Sequence, residues 1–317
     1  MPLIDENNFT FLSADQHTQI HVREWVPDCD INGVVQISHG INEYVGRYAD
    51  FANFLASRGF VVVGNDHLGH GQSVMSKDDL GFFDYTGGWQ KAVTDIETLR
   101  SITAKKYPDC PYFILGHSMG SFMLRSYMIR YPNAPIDGVI LSGTGQMPSA
   151  LITAGKAMCA TVLHREGSRY RSKIITKMIF GSYNKKFAPN RTAVDWISRD
   201  EAVVDKYVSD PLCTFIPCVS MLHEMLKGIT YMSDSAKLEH MNKDLHVLFL
   251  SGLDDPVGDF GKGVIKAYGS FVRAGMEKIG YKLYPDGRHE MINELNKAEV
   301  YNDVLDWLFQ VIYSDGF

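Results

Sequence analysis

The chain has 317 residues, 45% of them hydrophobic, and a formal net charge of -6 with both signs scattered along its length. That is enough apolar material for a large buried core, and it excludes the polybasic surface that a nucleic acid selects. Five cysteines, Cys29, Cys110, Cys159, Cys213 and Cys218, form neither a Cys-x-x-Cys pair nor a metal-finger spacing, so a reducing, cytoplasmic setting is expected. The amino-terminal residues lack the basic start and apolar core of a signal peptide, and no run reaches the length of a transmembrane helix.

Residues 9–12 and 19–25 alternate apolar and polar side chains around Ser13-Ala14-Asp15-Gln16, which predicts an amino-terminal hairpin with one wet face. From residue 34 the period changes. Residues 34–38, 60–64, 112–115, 138–141 and 246–250 are short apolar runs bounded by glycine or polar turns, the pattern of strands covered on both faces. Helical spacing lies between them, at Tyr48, Phe51, Ala52 and Leu55, and again at Ala92, Val93, Ile96, Leu99 and Ile102. The alternation predicts an α/β fold, a mostly parallel doubly wound sheet with ligands bound beyond the carboxyl ends of its strands. It stops after Gly143-Thr144-Gly145 and resumes near Leu245. The expected division is therefore a core of residues 1–145 and 245–317, with residues 146–244 as an inserted helical cap. Helical patterns at 154–163, 174–180 and 218–232 fall inside that insertion.

The run Phe113-Ile114-Leu115-Gly116-His117-Ser118-Met119-Gly120 carries the chemistry. An apolar strand enters a Gly-x-Ser-x-Gly turn, and a helical pattern follows through Phe122, Met123, Tyr127 and Met128. That is the setting of a nucleophile elbow, with Ser118 at its apex. A serine hydroxyl is a poor nucleophile near neutral pH, so it needs a base and a group to orient that base. In this class of fold the acid follows a late strand and the histidine follows the next one. Residues 245–250 lead to Ser251-Gly252-Leu253-Asp254-Asp255-Pro256, where Asp255, stiffened by Pro256, is the expected acid and Asp254 a solvated turn carboxylate. Residues 281–284 form the next strand and place His289 in the following turn as the expected base. The amides of Met119, after the serine, and Ile41, after the early strand and His39-Gly40, are the expected oxyanion donors.

The blocks His39-Gly40-Ile41-Asn42-Glu43, Gly46-Arg47-Tyr48 and Asn65-Asp66-His67-Leu68-Gly69-His70-Gly71-Gln72-Ser73 then become informative together with Gly116-His117-Ser118-Met119-Gly120. The chain resembles the monoacylglycerol lipase and lysophospholipase branch of the α/β-hydrolases, and Ser209-Asp210-Pro211-Leu212 is similar to a cap segment of that family. The resemblance implies a cofactor-independent serine esterase with Ser118, Asp255 and His289 as its triad under a lipophilic cap. It implies esters of single-acyl-chain lipids as substrates and allows peripheral membrane contact through the cap. Where the family carries a small residue after His-Gly, this chain has Ile41, whose side chain narrows the acyl pocket. The resemblance gives the Asp66 to Gly71 segment a structural duty rather than metal binding, and Glu43 and Arg47 read as a local ion pair. Most apolar cap residues are expected in the cap's own core, while Ile152 and Ile179 are expected to meet substrate as well. A small-ester esterase, thioesterase or peptidase would use the same triad, and a binding protein that has lost hydrolysis is the rival of another class.

Overall fold

A computed structural model describes residues 4–314. Eight strands form one sheet: β1 (Ile4–Leu12), β2 (Gln19–Pro27), β3 (Gly33–Ser38), β4 (Phe60–Asn65), β5 (Tyr112–His117), β6 (Gly138–Ser142), β7 (His246–Gly252) and β8 (Ile279–Tyr284). Their spatial order is β1-β2-β4-β3-β5-β6-β7-β8. The two amino-terminal strands pair antiparallel, β2 also pairs antiparallel with β4, and every later pair is parallel. The first strand begins at Ile4, earlier than the hairpin pattern suggests. Residues 4–8 are held by backbone pairing with β2 rather than by a buried alternating face.

Alternation within the central strands separates two cores. Val34, Val61, Val63, Ile114, Val139 and Val247 point to one face, and Val35, Ile37, Val62, Leu115 and Ile140 to the other. All are completely buried, as strands covered on both sides must be. The first face is covered by α2 (Gly88–Lys106), α3 (Met119–Arg130) and α9 (Lys262–Arg273), the second by α1 (Ala49–Ala56) and α10 (Lys297–Ser314). Hydrophobic burial on the two faces is what holds the layers to the sheet, at roughly 25 cal/mol per Å² of apolar surface removed from water.

Between β6 and β7 the chain contains helices only: α4 (Ser149–Glu166), α5 (Lys173–Phe180), α6 (Glu201–Ser209), α7 (Val219–Met232) and α8 (Ser235–Leu238), with short 3-10 turns among them. Helix α7 packs against α2, α3 and α4, so it ties the helices between β6 and β7 to the layer that covers the first face of the sheet. Strand β3 is followed by β4 on one side and flanked by β5 on the other, so the strand order reverses beside its carboxyl end. Such a reversal opens a crevice, and the loops after β3 and β5 both empty into it.

Candidate active site

Ser118 follows β5 and immediately precedes α3, with φ 52° and ψ -120°, a conformation that L-residues rarely adopt. Two features hold it there. The Ser118 N–H donates to the Ser142 carbonyl at 2.9 Å, and the Ser118 carbonyl accepts from Ser121 and Phe122 in the first turn of α3. A side chain at position 120 would drive its Cβ into the Ser38 and His39 carbonyls, which is why the turn closes on glycine. Met119 occupies the first position of α3, where the helix leaves its own N–H groups unconsumed.

Asp255 and His289 come from the loops after β7 and β8, 34 residues apart, and meet with His289 Nδ1 at 3.0 Å from each carboxylate oxygen. The aspartate is fully buried and also accepts from Val257 N–H at 2.8 Å and from the Ser251 hydroxyl at 3.3 Å. Each donor satisfies one oxygen, so the carboxylate is fixed toward the ring. Nδ1–H therefore donates to Asp255 and leaves Nε2 as the acceptor. The neighbouring Asp254 points outward and pairs with Lys186 at the half-exposed surface. The two adjacent carboxylates are thus separated by environment. A close approach of the two loops makes this possible, because Gly252 packs where any side chain would strike the Gly287 carbonyl.

Burial works against a charged His289, but the carboxylates of Asp255, Glu290 and Glu43 outweigh it and hold its pKa above the ordinary value of 6.5. A base with a raised pKa is protonated, and so unable to accept the serine proton, over a wider acid range. The acid limb of kcat/KM should therefore have its midpoint above pH 6.5, measured with a substrate that does not itself titrate. A midpoint at or below 6 would contradict this arrangement.

The loop after β3 carries the second expected oxyanion donor. His39 accepts the His67 N–H on Nε2 at 2.9 Å, so its Nδ1–H donates to the Gly40 carbonyl at 2.7 Å. Because a trans peptide sets C=O and N–H on opposite sides, anchoring the Gly40 carbonyl fixes the direction of the Ile41 N–H. His39 is thus a brace for the backbone. His67 in turn lies 3.0 Å from the Ser38 hydroxyl, and Asp66 accepts from the Val45 and Gln72 amides at 2.9 and 2.8 Å. The Asp66 to Gly71 segment spends its polar groups on the floor of the site.

This floor makes a stability prediction. Burial lowers the pKa of His67 and His117 to about 3, of His70 to about 4, and of His39 well below 6.5. All four stay neutral when folded, whereas in the unfolded chain they charge as pH falls through 6.5, so stability is lost on acidification below that point. Asp95, raised by burial to about 7, acts in the opposite sense because the folded state takes up its proton first. Four histidines outweigh one carboxyl. Stability should fall by about 3 kcal/mol per pH unit between pH 6 and 4.5, read as a drop in the urea midpoint, whereas a flat profile would show that these histidines do not stay neutral in the folded state.

Ser118 and His289 open onto one cavity of about 490 Å³, walled by Ile41, Met119, Phe122 and, from the inserted segment, Ile179, Phe180 and Trp196. Of the two isoleucines expected to meet substrate, Ile179 stands on the wall and Ile152 does not. It is 4% exposed and lies, with Cys159 two turns along, on the buried seam of α4 that packs against α7. Other aromatic neighbours carry no sequence signal. The Trp196 ring lies 4.9 Å from that of His289, and Tyr183 packs edge-on behind it at 5.0 Å. The same segment is joined to the histidine loop through its backbone, with His289 N–H to the Trp196 carbonyl at 3.3 Å and Glu290 N–H to the Ile197 carbonyl at 2.7 Å. On the opposite side Tyr44 donates to Asp210 at 2.8 Å, and Asn42 donates to the Cys213 carbonyl at 3.3 Å. This is what the Ser209-Asp210-Pro211-Leu212 segment does in the fold.

The model of the Hydrolase_4 family, described as serine aminopeptidase, S33, matches residues 30–296, which span both the elbow and the acid and histidine loops. The chain belongs to the Hydrolase_4 family. Among its relatives, a monoacylglycerol lipase of Mycolicibacterium smegmatis is 29% identical over 90% of this chain and 90% of its own. A monoglyceride lipase of Mus musculus is 28% identical over 93% of this chain and 88% of its own. The crystal structure of a thermostable carboxyl esterase from Bacillus coagulans in complex with glycerol superimposes with a TM-score of 0.90 at 27% identity, covering 97% of this chain and 99% of that one. A soluble variant of the Saccharomyces cerevisiae monoglyceride lipase shares the fold, with a TM-score of 0.73 at 21% identity over 98% and 96% of the two chains. Among the described residues no helix is long and apolar enough to cross a membrane.

Proposed function

We propose that this chain is a serine hydrolase that cleaves carboxylic esters of lipids with one acyl chain, a monoacylglycerol or a lysophospholipid. The observation that carries the reading is a serine at a strained elbow sharing an apolar cavity with a histidine whose other nitrogen is bound by a buried aspartate. Ser118 Oγ attacks the ester carbonyl while His289 Nε2 takes its proton. The oxyanion is held by the Ile41 and Met119 amides, and the imidazolium is stabilised by Asp255. The same proton is handed to the departing alcohol, and a water deprotonated by His289 then releases the fatty acid and restores Ser118. No cofactor enters this sequence of steps.

The lipid assignment draws on the apolar cavity wall and on the names of the relatives. Residues 146–244 act in this reading as the cap, with Ile179 against the acyl chain. Its outer surface exposes Leu151, Ile174 and Met178 beside Lys173 and Lys177, an apolar patch with cations that suits peripheral contact of a cytoplasmic enzyme with an anionic lipid surface. Hydrolysis of a chain-length series of monoacylglycerols, lysophospholipids and nitrophenyl esters tests the reading, together with fluorophosphonate labelling. Preference for long single chains and labelling at Ser118 are expected. Activity confined to acetyl and butyryl esters would favour the small-ester reading, to which the likeness to the carboxyl esterase gives weight, and no labelling of Ser118 would end the enzyme reading.

A further inference from the structure

Glu43 and Arg47 are four residues apart and 3.0 Å from each other, the local ion pair expected from the sequence. The structure gives the guanidinium a second and stronger partner. Glu290, 243 residues away and adjacent to His289, accepts two parallel bonds of 2.7 Å from Nη1 and Nη2. Its carboxylate is completed by the Asn293 side chain at 3.0 Å. At the other end Glu43 accepts from the Tyr48 hydroxyl at 2.9 Å and from the Gly40 N–H through a very short bond. The three charged side chains are at most 9% exposed.

A continuous chain of charge-assisted bonds thus runs from the Gly40 amide through Glu43, Arg47 and Glu290 to the backbone beside His289. Gly40 is held at both ends, its N–H by Glu43 and its carbonyl by His39, so the peptide that carries the Ile41 N–H has a defined direction. Glu290 N–H is likewise fixed on the Ile197 carbonyl, which leaves its side chain to set where the histidine loop stands. Burying two carboxylates on one cation is costly for stability alone, and such an arrangement is a weak source of folding energy. What it supplies is geometry: a planar fork that fits one carboxylate bidentately while still reaching a second.

We propose that Arg47 is a positioning residue that ties the oxyanion loop to the histidine loop, with Glu43 and Glu290 as its two anchors, so that both halves of the reacting site keep one mutual register. The role rests on Ser118 hydrolysis as read above. It goes beyond that reading by assigning the alignment of donor and base to three residues that do not react.

Arg47→Lys and Glu290→Gln test it in the full chain, with kcat normalised by fluorophosphonate titration of Ser118. A lysine ammonium cannot hold both carboxylates in plane, and the glutamine is an isostere that removes one charge. Both variants should lose 10- to 100-fold in kcat with KM changed less than threefold. Affinity for a boronic acid, which forms a tetrahedral adduct on Ser118, should fall in parallel, while affinity for the fatty acid product should hold. Glu290→Gln should also move the acid limb of kcat/KM to lower pH, because Asp255, Glu43 and His117 still face His289 but one anion is gone. Unchanged kcat per titrated site, or equal losses for boronate and fatty acid, would overturn the proposal. Should Arg47→Lys fail to fold, the isosteric Glu290→Gln carries the test alone. A wild-type chain that neither labels nor hydrolyses refutes the underlying reading, a result distinct from active variants, which refute only the strut.

Discussion

Ser118→Ala should lose kcat by on the order of 10⁴ to 10⁶-fold while binding substrate as before, leaving only the acceleration that oriented donors give to water. Stability provides a second and less obvious readout. Alanine at φ 52° carries the same backbone strain as serine, so Ser118→Ala should melt close to the parent. Ser118→Gly removes the Cβ that makes this conformation unfavourable, at the cost of some unfolded-state entropy. It should be equally inactive but more stable by about 1 kcal/mol, visible as a rise in Tm. Equal melting of the two variants would mean that the elbow stores no strain.

Asp255→Asn should reduce kcat by about 10⁴-fold, and Asp254→Asn should leave it within twofold, although the two residues are neighbours. The reason lies in the donors around Asp255. Val257 N–H and the Ser251 hydroxyl each address one of its oxygens. If the asparagine oxygen keeps the Val257 bond, its amide N–H₂ faces His289 Nδ1, which must then accept. The proton moves to Nε2, the atom that has to receive the serine proton. Asp254 only pairs with the half-exposed Lys186, an interaction worth less than about 1 kcal/mol. Steady-state kinetics on both variants, with Tm as the folding control, decide the matter; a large loss in Asp254→Asn would show that the acid had been misassigned.

The legible part of the fold is the part written in period. Buried strands of five to seven residues, the glycines of the elbow and the order of the serine, acid and histidine loops all follow from runs and breaks in the sequence. Residues 4–8 were not legible as strand, since backbone pairing at a sheet edge needs no apolar alternation. The place of Ile152 away from the cavity is not legible, because a helical stripe has the same spacing whether it faces a neighbouring helix or a cavity, and only the packing of α4 on α7 separates the two. Glu43 and Arg47 showed their mutual spacing but not Glu290, whose approach depends on the loops after β3 and β8 converging across the sheet. Trp196 lies in a single 3-10 turn of three residues and Tyr183 in a turn, both too short for an aromatic residue to carry a pattern to read.

The backbone bonds between residues 196–197 and 289–290 have a consequence for anyone who would exchange the covering helices between relatives. Although that stretch belongs by sequence to the insertion, it forms part of the seat of the histidine, as do the carbonyls of Cys213 and Phe215 for the loop around Asn42. A transplant that replaced everything between β6 and β7 would import a foreign seat and misalign the loops beneath it. One spliced within residues 149–180, upstream of those contacts and of Tyr183 and Asn184, which hold Trp196, would change the wall that meets the acyl chain and leave the machinery in its native setting. Substrate range should therefore be portable in residues 146–180 and immovable in residues 181–215.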